Sequence, residues 1–223
     1  NQEWEYKIEK SNTLKYPIYW KSKLATLHTQ KKGIIEQTDI QFGQYIGQTI
    51  NTFLNGEKVD FIASHGHTIF HQPENKYTLQ IGYGKTISQL TKITTINDFR
   101  SLDVSLNGQG APLVPVGDKL LFSQYDYCLN IGGIANVSYE ENGTRKAYDV
   151  CFANMILNPL ANELGLPFDR DGEIAKRGNL TTQLLNELMN LDFENNSLGY
   201  EMYEKYINTC EFVYSHLFHI VRA

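Results

Sequence analysis

The sequence contains few cysteines and no pattern that would use them. Among its 223 residues there are three, Cys128, Cys151 and Cys210, an odd number spread far apart. They form neither a CxxC pair nor the disulfide framework of a small secreted domain. This usage is typical of a protein from a reducing compartment, and we therefore predict a cytoplasmic location.

Excess positive charge and long apolar runs are also missing. The chain has 20 Lys and Arg residues against 25 Asp and Glu residues, a formal net charge of −5. No basic stripe stands out, so a nucleic-acid partner is not expected. No apolar run approaches the length of a membrane span, and the polar start NQEWEYKIEK does not resemble a signal peptide. We predict no membrane association.

What the sequence does contain is an alternation of strand and helix patterns. Apolar residues at helical spacing predict a core-facing helix over residues 38–54. Other helices are predicted over residues 17–27, 115–122, 153–164 and 181–191. Gly165 is predicted to be the C′ residue of the helix that ends at residue 164. Strands are predicted at the start of the chain (Trp4, Tyr6, Ile8), over residues 59–64, and in TLQIGYG and KITTIND. The segment SLDVSLNGQGAPLVP, rich in Gly and Pro, is predicted to be irregular. This alternation favours an α/β fold.

The two ends of the chain carry unfinished patterns. The sequence starts without Met inside a predicted strand, and it stops inside the amphipathic pattern EFVYSHLFHIVRA without a terminating glycine. We therefore expect the chain to be part of a longer protein.

The stretch LNIGGIANVSYEENGTRKAYD combines a glycine pair with a carboxylate. Gly132 and Gly133 interrupt an apolar strand, which they weaken unless a backbone or a ligand must come close. Asn142-Gly143 predicts a hairpin turn. Asp149 then ends the returning strand just before a helix, a geometry suited to a general base. A β-bulge followed by an ordinary helix-capping aspartate is the alternative, and the stretch alone leaves both open.

The segment SHGHTIFH contains His65, His67 and His71. A His-x-His pair at a strand end places both imidazoles on one face, a spacing that metal sites use. Hydrogen-bonding histidines in a polar cleft are the more common arrangement, and no HExxH motif or carboxylate cluster supplies further ligands. A metal-dependent hydrolase built on His65 and His67 remains an alternative hypothesis.

Two charged loops have competing interpretations. Asp98, Arg100 and Asp103 precede a Gly-rich turn, either as a surface ion-pair loop or as a binding loop. In the second case the aspartates would hold the arginine, which would anchor an anionic or oxygen-rich ligand. In FDRDG, Asp169 and Asp171 resemble part of a calcium loop, but the other ligand positions are missing, which favours a turn and helix cap.

Taken in order, the motifs of the chain resemble one family, that of anhydro-N-acetylmuramic acid kinase. The motifs are SHGHT, TLQIG, NDFRSLD, NGQGAPLVP, LNIGGIANVS, residues 149–154 and FDRDGEIAKRG, with SLGYE as a later element. They cover approximately residues 61–203. The resemblance implies two ribonuclease-H-like domains of the hexokinase–actin–Hsp70 superfamily, with ATP in the cleft between them. Here the fold would be incomplete, with parts of the domains in residues 1–126 and 127–223.

The resemblance also implies a reaction. Such a kinase opens the 1,6-anhydro ring of an amino sugar with water and phosphorylates O6, giving N-acetylmuramic acid 6-phosphate for peptidoglycan recycling. ATP and Mg²⁺ are the implied cofactors, and no protein ligand to a metal is predicted. The amino sugar and ATP are the implied partners, with a homodimer as the one protein assembly considered.

Roles for individual residues follow from the same resemblance. Asp149 would be the general base that activates water. The residues near the nucleotide phosphates would be Gly132, Gly133 and Asn154. Those lining the sugar side of the cleft would be His65, Thr68, Asp98, Arg100 and Asp103.

The chain departs from the family pattern at several points. The phosphate hairpin MSGTSxDG and the C-terminal Gly-rich adenosine segment are absent. The usual DxGPGN is DVCFAN here, with Cys151, Phe152 and Ala153 in place of Gly-Pro-Gly, at what we take to be a turn near the phosphates. The N–H groups at the start of the helix from Ala153 would still be available to an anion. His67 replaces the usual Gln, and Lys92 the usual Gly. We therefore predict that the chain alone is inactive. The alternative is a non-catalytic sugar-binding relative with a degenerate nucleotide site.

Overall fold

A computed structural model describes residues 4–110, 113–180 and 182–189 of the chain. The chain divides into two compact units, one of Glu5–Val114 and one that continues from Pro115. Each unit contains helices and strands, which confirms the predicted α/β class. The division lies between residues 114 and 115, whereas the sequence predicts a boundary between residues 126 and 127. The assignment of ribonuclease-H-like domains stays a prediction.

The first unit consists of short elements around one long helix. Its helices are α1 (Ile18–Ala25), α2 (Lys32–Leu54), α3 (Gly84–Thr91) and α4 (Ser101–Ser105). Its strands are β1 (Ile62–Ser64), β2 (His67–Gln72), β3 (Tyr77–Ile81) and β4 (Thr95–Asn97). Strands β1 and β4 form a parallel pair, and β2 and β3 form an antiparallel hairpin. The strands predicted at residues 59–64, TLQIGYG and KITTIND are therefore confirmed as β1, β3 and β4.

The core of this unit lies against one face of α2. Ile35, Thr38 and Phe42 are buried, and their three- and four-residue spacing places them on that face. Trp20 meets Phe42 edge to face, with ring centroids 5.0 Å apart. Burying a side chain such as Phe42 contributes about 1.5–3 kcal/mol. The helices predicted over residues 17–27 and 38–54 are confirmed as α1 and α2, and α2 begins earlier than predicted.

The strand predicted at the start of the chain is wrong. Residues 4–17 form neither helix nor strand, and Trp4, Tyr6 and Ile8 are exposed. A strand needs a hydrogen-bonded neighbour, and the strands described in the first unit pair only with one another. The apolar alternation in the sequence therefore has no described strand beside it.

Lys92, one of the departures from the family pattern, follows the last turn of α3. Its backbone lies in the left-handed region, with φ of 61°, and its N–H donates to the Ser88 carbonyl. Glycine adopts this conformation more readily than a residue with a Cβ. The family's usual glycine is therefore explained by the end of this helix.

The segment SLDVSLNGQGAPLVP is more regular than its composition predicts. It contains α4 and the start of α5 (Leu113–Leu121), so the prediction of an irregular segment is wrong at both ends. The first turn of α4 is stabilised by Asp98, whose Oδ1 accepts a hydrogen bond from the Ser101 N–H at 3.2 Å. Val104 is buried and anchors the helix. Helix α5 confirms the helix predicted over residues 115–122.

The second unit contains a three-stranded antiparallel sheet. Its strands are β5 (Tyr127–Ile131), β6 (Ile134–Glu141) and β7 (Thr144–Phe152), paired in the order β5-β6-β7. Asn142 and Gly143 have φ of 50° and 77°, the two positive values that a type I′ turn requires. The predicted hairpin is confirmed. Helices α6 (Asn154–Glu163) and α7 (Thr182–Met189) follow, which confirms two further predicted helices.

Helix α6 ends where Gly165 follows it. The Gly165 N–H donates to the Asn162 carbonyl at 2.9 Å, and the Leu166 N–H donates to the Ala161 carbonyl at 3.0 Å. This pair of bonds is a Schellman motif, with Gly165 at the left-handed position, φ of 76°. The C′ role predicted for Gly165 is confirmed.

Two sequence expectations about the sheet are wrong. Gly132 and Gly133 do not interrupt one strand, because they form the turn between β5 and β6. Asp149 does not end β7, which continues to Phe152 and pairs Asp149 with Asn136. The bonds between β6 and Cys151 and Phe152 extend the strand past the carboxylate.

The SLGYE motif, Cys210 and the terminal pattern lie outside the described residues. In the described part of the chain, no helix is both long enough and apolar enough to cross a membrane.

Candidate active site

The first candidate site lies at one edge of the parallel pair β1–β4. Ser64 and Asn97 are register partners at the ends of these strands, so His65 and Asp98 leave the sheet side by side. In α/β proteins, ligands bind outside the carboxyl ends of parallel strands. The parallel pairing therefore brings together two of the five residues that the sequence predicts for the sugar side.

Arg100 is held by two neutral partners. Its Nε donates to His65 Nε2 at 2.9 Å, and its Nη1 donates to the Gly110 carbonyl at 2.6 Å. These contacts fix the plane of the guanidinium and use two of its five N–H groups. Burial lowers the pKa of Arg100 from its ordinary value, but a guanidinium remains charged at neutral pH. The result is a fixed, half-buried positive charge.

The contact with Arg100 determines the tautomer of His65. Because Nε2 accepts from Arg100, the proton lies on Nδ1, which donates to the Gly66 carbonyl at 3.1 Å. The Nε2 lone pair that a metal would need is therefore engaged. The geometry favours the hydrogen-bonding role for His65 over the metal-binding one.

His67 lies in an aromatic cluster. Its ring meets those of Tyr16 and Phe42 edge to face, with centroids 6.3 and 6.2 Å away. Burial lowers the pKa of His67 from its ordinary value, and the nearby His65 adds a smaller contribution. Among the described residues, no group of three His, Cys, Asp or Glu side chains is placed to hold a metal. Nothing in this geometry supports the metal-dependent hydrolase.

The two aspartates do not hold Arg100, contrary to the sequence expectation. Asp98 accepts from the Ser101 N–H, as described above, and Asp103 Oδ2 accepts from the Gly110 N–H at 2.7 Å. No ion pair between Arg100 and either carboxylate occurs in the described chain. The backbone N–H groups lie nearer along the loop and satisfy both carboxylates first. Asp103 therefore fixes Gly110, whose carbonyl in turn orients Arg100.

Thr68 and an unpredicted neighbour lie on the β2–β3 hairpin. Thr68 is exposed, and its register partner is Gln80. The Gln80 Nε2 donates to Thr78 Oγ1 at 2.8 Å, and His71 Nδ1 lies 3.2 Å from that oxygen. Gln80 was missed because a single polar residue in a strand is an ordinary feature of a sequence. The pairing of the strands alone brings it opposite Thr68.

The second candidate site is the Gly132–Gly133 turn. The Gly132 carbonyl accepts from the Asn154 N–H at 3.2 Å and from Asn154 Nδ2 at 2.9 Å. The Gly133 carbonyl accepts from the N–H groups of Ala153 and Met155 at 2.9 and 3.0 Å. The start of α6 is therefore hydrogen-bonded to this turn. We expected its N–H groups to be available to an anion, and that expectation is wrong, because the glycine carbonyls use them.

The side of this turn away from its carbonyl bonds is open. A Cβ on Gly132 would meet only the Ile134 carbonyl oxygen, at 3.6 Å, and one on Gly133 would meet Met155 at 3.9 Å. Both are ordinary contact distances, and neither glycine has a positive φ. A cavity of about 520 Å³ adjoins the turn. The packing of the described residues does not require these glycines, so their lack of side chains leaves room for a ligand.

Asp149 belongs to a polar row across the sheet. It pairs with Asn136 on β6, and Asn136 pairs with Asn130 on β5. The register shifts between Ala135 and Asn136, which leaves Val150 as an extra residue on β7, a bulge of the kind found beside active sites. Register partners share a face. Asn130 and Asn136 were not predicted from the sequence, because they lie on different strands and only the sheet register aligns them.

The usual Gly-Pro-Gly positions fall mostly within β7. Cys151 pairs with Ala135, and Phe152 pairs with Ile134. Only Ala153 lies outside the strand, where it is buried at the start of α6. The idea that all three residues occupy a turn near the phosphates is therefore wrong, because sheet pairing extends through two of them.

Comparison with known proteins identifies consistent relatives. A family model described as anhydro-N-acetylmuramic acid kinase matches residues 2–204. A protein of that name from Mannheimia succiniciproducens is 38% identical over 165 residues, which cover 69% of this chain and 44% of the relative. One from Colwellia psychrerythraea is 37% identical over 180 residues, 71% and 45% of the two chains. One from Bacillus cereus is 39% identical over 150 residues, 61% and 39%. The chain thus spans less than half the length of these relatives.

Proposed function

Because the chain belongs to the anhydro-N-acetylmuramic acid kinase family, we propose that the protein carrying it phosphorylates 1,6-anhydro-N-acetylmuramic acid with ATP. Water opens the anhydro ring at the anomeric carbon, and the released O6 takes the phosphoryl group. The products are N-acetylmuramic acid 6-phosphate, an intermediate of peptidoglycan recycling, and ADP. When bound, ATP supplies the phosphoryl group and Mg²⁺ neutralises charge on its phosphates.

The fixed charge of Arg100 is the observation that carries this proposal. The guanidinium is half-buried, its described partners His65 and Gly110 are neutral, and it has no described ion pair. Such a group favours a ligand with a carboxylate, because charge-assisted hydrogen bonds are stronger in a partly desolvated site. The muramic acid substrate carries a carboxylate on its lactyl group. Arg100 therefore binds the acidic end of the sugar.

The other predicted sugar residues have supporting roles. His65 presents Nε2 to Arg100 and so orients it, while Asp103 fixes the loop through Gly110. Thr68 offers an exposed hydroxyl at the start of β2, and Asp98 follows β4 at the same sheet edge as His65. A hydroxyl and a carboxylate suit the ring hydroxyls of a sugar, which both donate and accept hydrogen bonds.

Asp149 acts as the base for the attacking water. A base must lie within hydrogen-bond reach of the proton it takes, and Asp149 is half-buried on the polar row with Asn130 and Asn136. The asparagine amides donate and accept hydrogen bonds and therefore orient the water and the carboxylate. On the nucleotide side, Gly132, Gly133 and Asn154 adjoin the 520 Å³ cavity, which leaves room for phosphates.

The test is a reaction with defined substrates. Protein expressed from the complete gene is incubated with 1,6-anhydro-N-acetylmuramic acid, ATP and Mg²⁺, and the phosphosugar and ADP are measured by mass spectrometry. We expect equal amounts of both products. A matched reaction with 1,6-anhydro-N-acetylglucosamine, which lacks only the lactyl group and its carboxylate, should be much slower. The absence of phosphosugar, or equal rates with both sugars, would contradict the proposal.

A second function, binding of the sugar without catalysis, is favoured by one observation. The first N–H groups of α6 donate to the Gly132 and Gly133 carbonyls, so they do not offer an anion site in this conformation. Calorimetric titration with the sugar and with a non-hydrolysable ATP analogue separates the two functions. Binding of the sugar without the analogue supports the non-catalytic relative, and binding of both supports the kinase. The homodimer and the cytoplasmic location remain predictions from the sequence.

A further inference from the structure

Among the described residues, none that line the cavity beside the Gly132–Gly133 turn is charged. Its volume is about 520 Å³, and its lining consists of Gly132, Gly133, Asn154, Met155, Asn158 and Phe168. Glycine backbone and amide side chains suit a polar ligand, but a polyphosphate also needs positive charge nearby. A positive charge for a polyphosphate must therefore come from a residue next to this lining.

Phe168 connects the cavity to a rigid charged turn. The next residue, Asp169, accepts hydrogen bonds from the Ile174 N–H at Oδ1 (2.9 Å) and from the Ala175 N–H at Oδ2 (3.0 Å). These bonds use both carboxylate oxygens, while Asp169 makes no side-chain cap bond to the 3₁₀ turn that it precedes. Of the predicted turn and cap roles, only the turn role is confirmed. They hold the FDRDG segment as 3₁₀ turns, Arg170–Gly172 and Ala175–Arg177. The position of Phe168 is therefore coupled to a fixed backbone.

Arg170 lies over the ring that lines the cavity. The centre of its guanidinium is 5.7 Å from the centroid of the Phe168 ring, within the range of a cation–π contact. The side chain is exposed, and no ion pair of Arg170 occurs among the described residues. By contrast, Lys176 on the same segment pairs with Glu173 at 3.5 Å. Arg170 is thus a cation held beside the cavity without a described counter-charge.

We propose that Arg170, carried on the Phe168 ring, binds the phosphates of a nucleotide in the Gly132–Gly133 cavity. The planar guanidinium donates to phosphate oxygens, while the ring holds it in place, so less side-chain freedom is lost on binding. The glycines admit the phosphates, and Asn154 and Asn158 add neutral amides. This inference rests on the proposed kinase function and assigns it a phosphate-binding residue.

The test compares charge removal at two positions of one segment. Wild-type protein from the complete gene, Arg170→Ala, Arg170→Lys and Lys176→Ala are titrated calorimetrically with magnesium ATP, inorganic tripolyphosphate and adenosine. Arg170→Ala should weaken both phosphate ligands about tenfold, the loss expected for a charge-assisted hydrogen bond, and leave adenosine unchanged. The affinity of Arg170→Lys for the phosphate ligands should lie between those of the wild-type protein and Arg170→Ala. Lys176→Ala, which also removes one positive charge, should bind like wild type.

The outcomes separate this inference from the function it rests on. Equal phosphate affinity in Arg170→Ala and Lys176→Ala overturns the inference, even if the kinase reaction proceeds. Arg170-dependent tripolyphosphate binding without phosphorylation of the sugar supports the inference and contradicts the proposed function. Failure of the wild-type protein to bind either phosphate ligand overturns both. Thermal unfolding of each variant confirms that a loss of binding is not a loss of fold.

Discussion

The two candidate sites use glycine in opposite ways. In the loop around Arg100, a Cβ on Gly108 would overlap the Asp103 carboxylate, and one on Gly110 would lie 2.5 Å from a Val104 methyl. In the second unit, a Cβ on Gly132 or Gly133 would meet its neighbours at ordinary distances of 3.6 Å or more. Packing among the described residues requires Gly108 and Gly110, whereas Gly132 and Gly133 leave space that a ligand can occupy. A glycine that no internal contact requires is the better indicator of a ligand.

The two sites also differ in how their charges are arranged. The carboxylates of Asp98 and Asp103 are satisfied by backbone N–H groups, so that Arg100 is left with neutral partners. Around Asp149, the register aligns the amide side chains of Asn130 and Asn136. The first arrangement suits the binding of an anion, and the second suits the transfer of a proton.

The largest effect is expected at Asp149. Asp149→Asn keeps the shape of the side chain but cannot accept a proton from water, so turnover should fall by a factor on the order of 10² or more. Affinity for the sugar, measured by calorimetry, should be nearly unchanged. The exposed Asp171→Asn serves as the matched control. Near-normal turnover in Asp149→Asn would contradict the assignment of the base.

The glycine comparison is tested by two alanine substitutions. Gly110 has φ of 64° and a crowded Cβ position, so Gly110→Ala should lower the free energy of unfolding by about 1–3 kcal/mol. Gly132→Ala should change it by less than about 0.5 kcal/mol and should instead weaken ATP binding. Denaturant unfolding and calorimetry measure the two quantities. A similar stability loss in both variants would abolish the distinction between the sites.

Arg100→Lys tests the binding role of the first site. Lysine keeps the charge but cannot reach His65 and Gly110 together while presenting further planar donors. Affinity for the muramic acid sugar should fall about tenfold, and Tm should fall by about 4 °C or less. The exposed Lys92→Arg serves as a control outside the site. A large fall in Tm with unchanged affinity would show that Arg100 serves the fold.

The smallest effect concerns the aromatic cluster around His67. Burial lowers the pKa of His67, so its folded-state pKa lies below the unfolded value of about 6.5. The stabilisation that comes from keeping His67 neutral is fully present above the unfolded-state pKa. It is lost as the pH falls through the folded-state pKa. In His67→Gln, the unfolding free energy should decline less from about pH 7 to about pH 5 than in wild type. His28→Gln, at an exposed position, should leave the decline unchanged. Parallel curves for wild type and His67→Gln would contradict the prediction.

Features that depend on near neighbours in the chain were predictable. The apolar spacing within residues 38–54 predicted α2, and Asn142-Gly143 predicted the turn between β6 and β7. Gly165 acts as the predicted C′ residue of α6, and Asp169 stabilises the predicted turn. In each case the residues that form the sequence pattern are close in the chain to the residues that they bond or pack against. The order of the motifs along the chain likewise indicated the family whose model matches residues 2–204.

Features that depend on distant neighbours were not predictable. The partner of Arg100 is 35 residues away in the chain, and the partner of Asn154 is 22 residues away. Asp98 and Asp103 lie closer to Arg100 in sequence, which is why they were expected to hold it. The bonds from the start of α6 to the Gly132–Gly133 turn join segments that are distant in sequence, so the N–H groups of α6 were expected to be unoccupied. Sheet register also placed Asn136 opposite Asp149 and extended β7 through Cys151 and Phe152.

By itself, then, the sequence determined the local elements, the alternation of helices and strands, and the motifs that carry family membership. These depend on backbone preferences and apolar spacing, which act over a few residues. The tertiary structure alone decided which polar groups satisfy one another and which remain for a ligand. A buried donor takes whichever acceptor the packed chain brings within about 3 Å, and that acceptor is often far away in sequence.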